Sequence, residues 1–258
     1  MRSRLARVAV VAASVLLLAG WADATSPSSQ GREPAVRPVQ SRGASCRAGS
    51  GIPLRSPALA YAATVRRHAV AYQQPGRRPI ARFGPVNAND YPTVFGVLAA
   101  VVARNCAATW YRVQLPLRPN GVTGYVRARD VELDKVQTRI DVDLSSRGLT
   151  LFRAGRPVLR TAIGVGAPAT PTPSGRFYVN QRLVPYDAAG PYGPAALGLS
   201  GFSRLRSWVQ GGPLAIHGTN EPWSIGRAAS HGCVRVRNDV LRRLFAAVPA
   251  GTPVLIRR

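Results

Sequence analysis

Glycine and proline recur so often along this chain, 25 and 22 of its 258 residues, that one stretch alone carries a clear helical pattern. Elsewhere short runs of branched and aromatic residues stand between the breaks, a composition suited to a pleated, half-buried surface. In the C-terminal half these runs predict strands at residues 139–144, 149–152, 158–163, 176–179, 214–216 and 254–256. The exception is NDVLRRLFAAV, in which Val240, Leu241, Leu244, Phe245 and Val248 fall on one face and Asn238 stands where an N-cap would sit. A mainly β chain follows, with an open or barrel-like core covered at one mouth by a single helix. Residues 184–212 are Gly- and Pro-rich and read as a long binding loop.

An earlier unit, residues 51–134, ends in TWYRVQLPLRPNGVTGYVRARDVEL. Residues 110–115 alternate, Asn120-Gly121 supplies a turn, and two further short runs follow. These last strands resemble those of bacterial SH3-like domains, small β-barrels that often bind the cell wall; a spacer without a ligand is the alternative. His68, in VRRHAVAYQQ, reads as a surface or structural histidine.

Arg2, Arg4 and Arg7 precede an apolar run over residues 8–20, and Ala22-Asp23-Ala24 then offers a small-x-small cleavage pattern. Residues 1–24 read as a secretory signal cut near Ala24, with an uncleaved anchor as the alternative. The run is shorter than the roughly 20 residues that span a bilayer, so no stable membrane span is expected. Residues 25–50 hold almost no large apolar side chain and are expected to form a flexible tether. The net charge of +24 calls for a polyanion, but it is spread along the chain without one dense basic run, so nucleic acid is not the expected partner. For an exported protein the available polyanions are anionic cell-wall polymers. All but one of the 35 basic residues are arginine, which also fits a coding bias.

Three cysteines in an oxidising compartment leave one over. Cys46 and Cys106, both in the N-terminal half, are the natural disulfide pair. Cys233 stands apart in AASHGCVRVRN, close to His231 and downstream of His217. A structural zinc site needs about four Cys or His ligands, and His231 and Cys233 flank a single glycine and would struggle to meet one ion together, so no metal is expected. The open readings are an inert buried thiol and a nucleophile. A Cys/His nucleophile needs a thiol, an imidazole to hold its proton and a group to orient the ring. Gly232 would let the backbone approach closely, and amides near Cys233 could face the oxygen of a tetrahedral intermediate.

The fragment IHGTNEPWSIGRAASHGCVRVRN resembles the signature of the L,D-transpeptidase catalytic (YkuD) family, in which a histidine precedes a Ser/Thr-His-Gly-Cys block and an Asn follows it. TPTPSGRFYV and YGPAALGLS resemble further family segments, so the likeness covers most of residues 138–257. Family members often carry Leu or Met at the position of Val236. The resemblance implies a YkuD-type β-sandwich or barrel over residues 136–258. It implies Cys233 as nucleophile, His217 as general base and then acid, and the Gly218 carbonyl as the group that holds the His217 ring. It places the oxyanion hole at the amides near His231, Gly232 and Cys233, with His231 the alternative base. Ser230, Arg235, Asn238, Tyr192 and Trp223 become substrate-side residues; a solvated arginine and a helix cap are the other readings of Arg235 and Asn238. No cofactor is implied. The implied activity is that of an exported transferase: attack on the third residue of a peptidoglycan stem peptide, a thioester, and a 3→3 cross-link to a neighbouring stem. Carbapenem-type inhibitors acylate related transpeptidases. Water as acceptor would make the same site an L,D-carboxypeptidase, and a protein amine would make it an anchoring enzyme. The reading from another class is a catalytically inactive wall-binding protein.

Overall fold

Alternation of buried and exposed side chains builds two sheets in succession. The computed structural model describes residues 45–205 and 212–258, so the expected signal segment and the expected tether up to residue 44 lie outside the described residues. The first sheet comprises β1 (Gly51–Pro53), β2 (Ala60–Val65), β3 (Ala69–Gln74), β4 (Arg77–Phe83), β5 (Val94–Val102), β6 (Ala108–Gln114), β7 (Thr123–Arg127) and β8 (Val131–Val136). Its order is β4-β3-β7-β6-β5-β2-β8, with β1 on β5, and every pairing is antiparallel. Phe95, Val97, Val113, Leu115 and Val126 are fully buried in its core. Residues 45–50, which composition assigns to the tether, are instead tied to this sheet. Cys46 is disulfide-bonded to Cys106 with Cα atoms 5.1 Å apart, and the Cys46 and Gly49 amides donate to the carbonyls of Arg104 and Val102. The crosslink and these bonds supply the order that the missing apolar side chains cannot.

The second half contributes β9 (Thr138–Asp143), β10 (Gly148–Arg153), β11 (Arg156–Ala162), β12 (Val165–Gly166), β13 (Gly175–Leu183), β14 (Ala196–Phe202), β15 (Pro213–His217), β16 (Ala228–Ser230), β17 (Val234–Arg235), α1 (Asn238–Ala247) and β18 (Pro253–Arg257). Eight of the strands form one mixed sheet in the order β11-β10-β9-β18-β13-β14-β15-β17, in which β18 runs parallel to β9 and β15 parallel to β17. β12 and β16 pair separately. The long loop expected over residues 184–212 is interrupted by β14, a correction with a clear cause. Six of its seven residues are buried, because both faces of this central strand are covered, so ALGLSGF shows no period-2 signal.

Among the described residues the fold is mainly β with one α-helix, and no helix is long and apolar enough to cross a membrane. Leu241 and Leu244 on α1 are fully buried, and Val240 and Phe245 pack on the same core. Burying such a side chain contributes about 1.5–3 kcal/mol. Asn238 does not cap this helix: it is the first helical residue, and Arg237 before it makes no side-chain cap.

The two sheets meet closely within one compact unit. The Tyr178 ring of β13 lies where a side chain on Gly96 of β5 would stand, 2.9 Å from the position of a Cβ. Ala60, Ala62, Val94 and Val136 form a small cluster with Ala250.

Candidate active site

The parallel pairing of β15 with β17 sets His217 opposite Arg235 and Ile216 opposite Val234. Paired residues share a face, and side chains two apart along a strand return to it, so the line of β17 carries Cys233 towards the side on which His217 and Arg235 stand. One cleft of about 180 Å³ is lined by Tyr192, Pro213, His217, Ser230, His231, Cys233 and Arg235. A second, of about 340 Å³, also reaches Cys233 and runs past Tyr192, Ala215 and Gln181 to Asn89 of the first sheet.

His217 is buried, and its Nδ1 lies 2.5 Å from the carbonyl oxygen of Gly218. A carbonyl only accepts, so this contact assigns the proton to Nδ1 and leaves the lone pair of the neutral ring on Nε2. Burial pushes the imidazole pKa down to about 4; the Gly218 bond works against that shift and the Arg235 charge adds to it. Burial pushes the Cys233 thiol up, more than the Ala215 amide and the Arg235 charge pull it down. Near neutral pH the pair therefore rests as thiol and imidazole rather than as thiolate and imidazolium. The Cys233 thiol also makes a long contact, 3.9 Å, to the Pro213 carbonyl.

Asn238 holds the strand end that carries His217. Its side-chain oxygen accepts the Thr219 amide at 2.8 Å, and a Cβ on either Gly193 or Gly218 would collide with that oxygen. The two glycines thus let the residue 193 loop, the residue 218 turn and the Asn238 amide close on one another. The Tyr192 ring then meets the His217 ring edge-on, with centroids 5.0 Å apart.

The Ser230–Cys233 turn is closed by its own serine. Ser230 Oγ accepts the Gly232 amide at 3.1 Å and donates to the Cys233 carbonyl at 2.6 Å. From outside, the Ala167 amide and the Thr170 hydroxyl both donate to the Ser230 carbonyl. Gly232 has φ +120°, where a side chain would be strained.

A model of the L,D-transpeptidase catalytic domain (YkuD) family matches residues 137–256. A Bacillus licheniformis protein, named as a candidate L,D-transpeptidase YkuD, is 38% identical over 123 residues, which are 48% of this chain and 67% of that protein. The chain belongs to the L,D-transpeptidase catalytic domain family. A Bacillus subtilis relative of the same name is 38% identical over 46% of this chain and 65% of its own length, so the chain spans about two thirds of these Bacillus relatives. The solved catalytic domain of the E. faecium L,D-transpeptidase acylated by ertapenem is 29% identical, covering 46% of this chain and 96% of that one, with a TM-score of 0.35.

Within this L,D-transpeptidase domain three expectations change. The Gly232 amide, expected in the oxyanion hole, donates to Ser230 Oγ in this structure, and the residue stands at φ +120°. Arg235 is not an open receptor for a carboxylate: it is buried and paired with Glu221, Nη1 to Oε2 at 2.5 Å. Glu221 stands 14 residues from Arg235 along the chain, and the meeting of β15 with β17 brings the two together. Trp223, 56% exposed on a short 3-10 turn, lines neither cleft at Cys233. His231 lies exposed at the rim of the smaller cleft, and His68 is exposed in the short connection between β2 and β3.

Proposed function

We propose that the chain is an exported L,D-transpeptidase that joins peptidoglycan stem peptides through a thioester on Cys233. The observation that carries this reading is the meeting in one cleft of Cys233 with a buried His217 whose Nδ1 is held by Gly218 and whose Nε2 keeps its lone pair. In the proposed reaction Cys233 Sγ bonds to the carbonyl carbon of the third-position residue of a donor stem while His217 Nε2 takes the thiol proton. The carbonyl electrons move to oxygen, and the Cys233 amide, with its neighbour at His231, is the proposed donor set for that oxyanion. Collapse expels the terminal D-Ala, whose amine leaves with the proton held by His217. An amine of a second stem then attacks the thioester, His217 takes its proton, and return of that proton to sulfur frees the thiol and completes a 3→3 cross-link. No step calls for a cofactor. Neutral resting groups fit this order, since the base must accept a proton at the moment of attack.

Export rests on residues 1–24, and attraction to anionic wall polymers on the net charge, +24 for the whole chain and +22 once residues 1–24, with three basic residues and one acidic, are removed. The SH3-like reading of the first sheet draws support from β6 and β7, which pair as a hairpin, and from the short 3-10 turn that leads into β8. Intact mass after incubation with a carbapenem tests the nucleophile. The wild-type chain is expected to gain one covalent adduct and Cys233→Ala none; an adduct that survives the substitution refutes the assignment. Incubation with a disaccharide-tetrapeptide then separates the acceptors: loss of D-Ala with a dimer marks transpeptidation, and loss of D-Ala without one marks carboxypeptidation.

A further inference from the structure

A cavity of about 430 Å³ lies where the connection between β1 and β2 crosses the outer face of the second sheet, and it shares no lining residue with either cleft at Cys233. Its floor is a row set by register: Arg176 on β13 pairs with Leu255 on β18, which pairs with Asp141 on β9. Arg55 also lines the cavity. The charges in this cavity do not balance. Asp141 is held through both oxygens by Arg139, at 2.9 and 3.2 Å, whereas among the described residues neither Arg55 nor Arg176 has a carboxylate partner.

Arg55 is the more buried of the two. Its Nε and Nη2 are buried and make no hydrogen bond among the described residues, and the buried Tyr178 hydroxyl is likewise unsatisfied. Burial and the like charge of Arg176 both lower the Arg55 pKa from its ordinary value. Burying a guanidinium without a counter-charge is costly, and a second cation beside it raises that cost. An anion in the cavity would offset both, and the cavity has the size of a small-ligand site. Guanidinium groups match planar or tetrahedral oxyanions, and two unbalanced arginines match the charge of about −1.5 to −2 of a phosphomonoester, or the paired charges of two neighbouring phosphodiester groups, better than that of a single carboxylate.

We propose that this cavity is a phosphate-binding site in which Arg55 and Arg176 hold the oxyanion between them. The phosphate can come from a free or small phosphomonoester or from a repeating phosphodiester polymer. Calorimetric titration of the full chain at constant ionic strength with inorganic phosphate, and separately with poly(glycerol phosphate), tests the site and its source. Saturable phosphate binding is expected, weakened about tenfold or more by Arg176→Gln and by Arg55→Gln but not by Arg242→Gln on the exposed side of α1, while carbapenem acylation of Cys233 stays unchanged. Arg176 is exposed, so its variant keeps the test decisive if Arg55→Gln does not fold. Tighter binding of the polymer per phosphate identifies a polymer ligand, and tighter binding of inorganic phosphate a small one. Absence of saturable binding, or equal loss in Arg242→Gln, overturns the proposal.

Discussion

The depressed pKa of His217 makes the pH profile of Cys233 acylation the sharpest test of the site. An imidazolium has no lone pair to accept the thiol proton, so the rate should follow the neutral fraction of His217. With a pKa of about 4, that fraction falls only about 1.1-fold between pH 7 and pH 5, and the rate is halved near pH 4. A solvated histidine near 6.5 would instead lose about 25-fold over the same two units. Folding adds a second effect of the same sign. Because the folded-state pKa lies below the unfolded value, the stability linked to His217 is fully present above about pH 6.5 and is lost as pH falls towards 4, by about 3 kcal/mol in all. Stopped-flow acylation by a carbapenem from pH 4 to 8, with denaturant melts at each pH to confirm the folded fraction, reads both. His217→Ala should slow acylation by about 10²–10⁴-fold at pH 7 and erase the acid limb, while His231→Ala keeps it. A limb centred between pH 6 and 7 in the wild type, or its persistence in His217→Ala, would refute the reasoning.

Asn238→Ala leaves the Thr219 amide without its acceptor, at a cost of about 1–3 kcal/mol, and slackens the Gly218 turn that holds His217. Acylation should slow and Asn238→Asp, which keeps an acceptor oxygen, should restore most of it; equal losses in both variants would argue against a positioning role. Glu221→Gln removes the charge that balances Arg235, whose guanidinium side chain is 11% exposed. Because Glu221 itself is half-exposed, the expected loss is about 1–2 kcal/mol, below the range for a fully buried pair. The unbalanced Arg235 should also push the acid limb to lower pH, and a limb that moves upward would contradict the proposed field at His217.

What could be read from the residues alone was local. The apolar face of α1, with Leu241 and Leu244, and the alternation of strands such as β9 and β18 are periodicities that need no partner to be recognised. The block from Ser230 to Cys233 and the upstream His217 put a thiol and two imidazoles close together in a chain with three of each, which by itself leaves an inert thiol and a nucleophile both open, and the resemblance to the family signature favours the nucleophile. The tertiary structure decided everything that depends on chain segments meeting. β14 hides its strand character because both its faces are covered, and it divides what reads as one loop. Arg235 reads as a receptor until β15 and β17 bring Glu221 to it, and Asn238 reads as a helix cap until the residue 218 turn reaches its side chain. The Gly232 amide reads as a free donor until the turn folds it onto Ser230 Oγ. The physical reason is common to these cases. Side-chain periodicity and chemistry are properties of neighbours along the chain, whereas the satisfaction of a charge or a hydrogen-bonding group depends on which distant group folding places within about 3 Å of it.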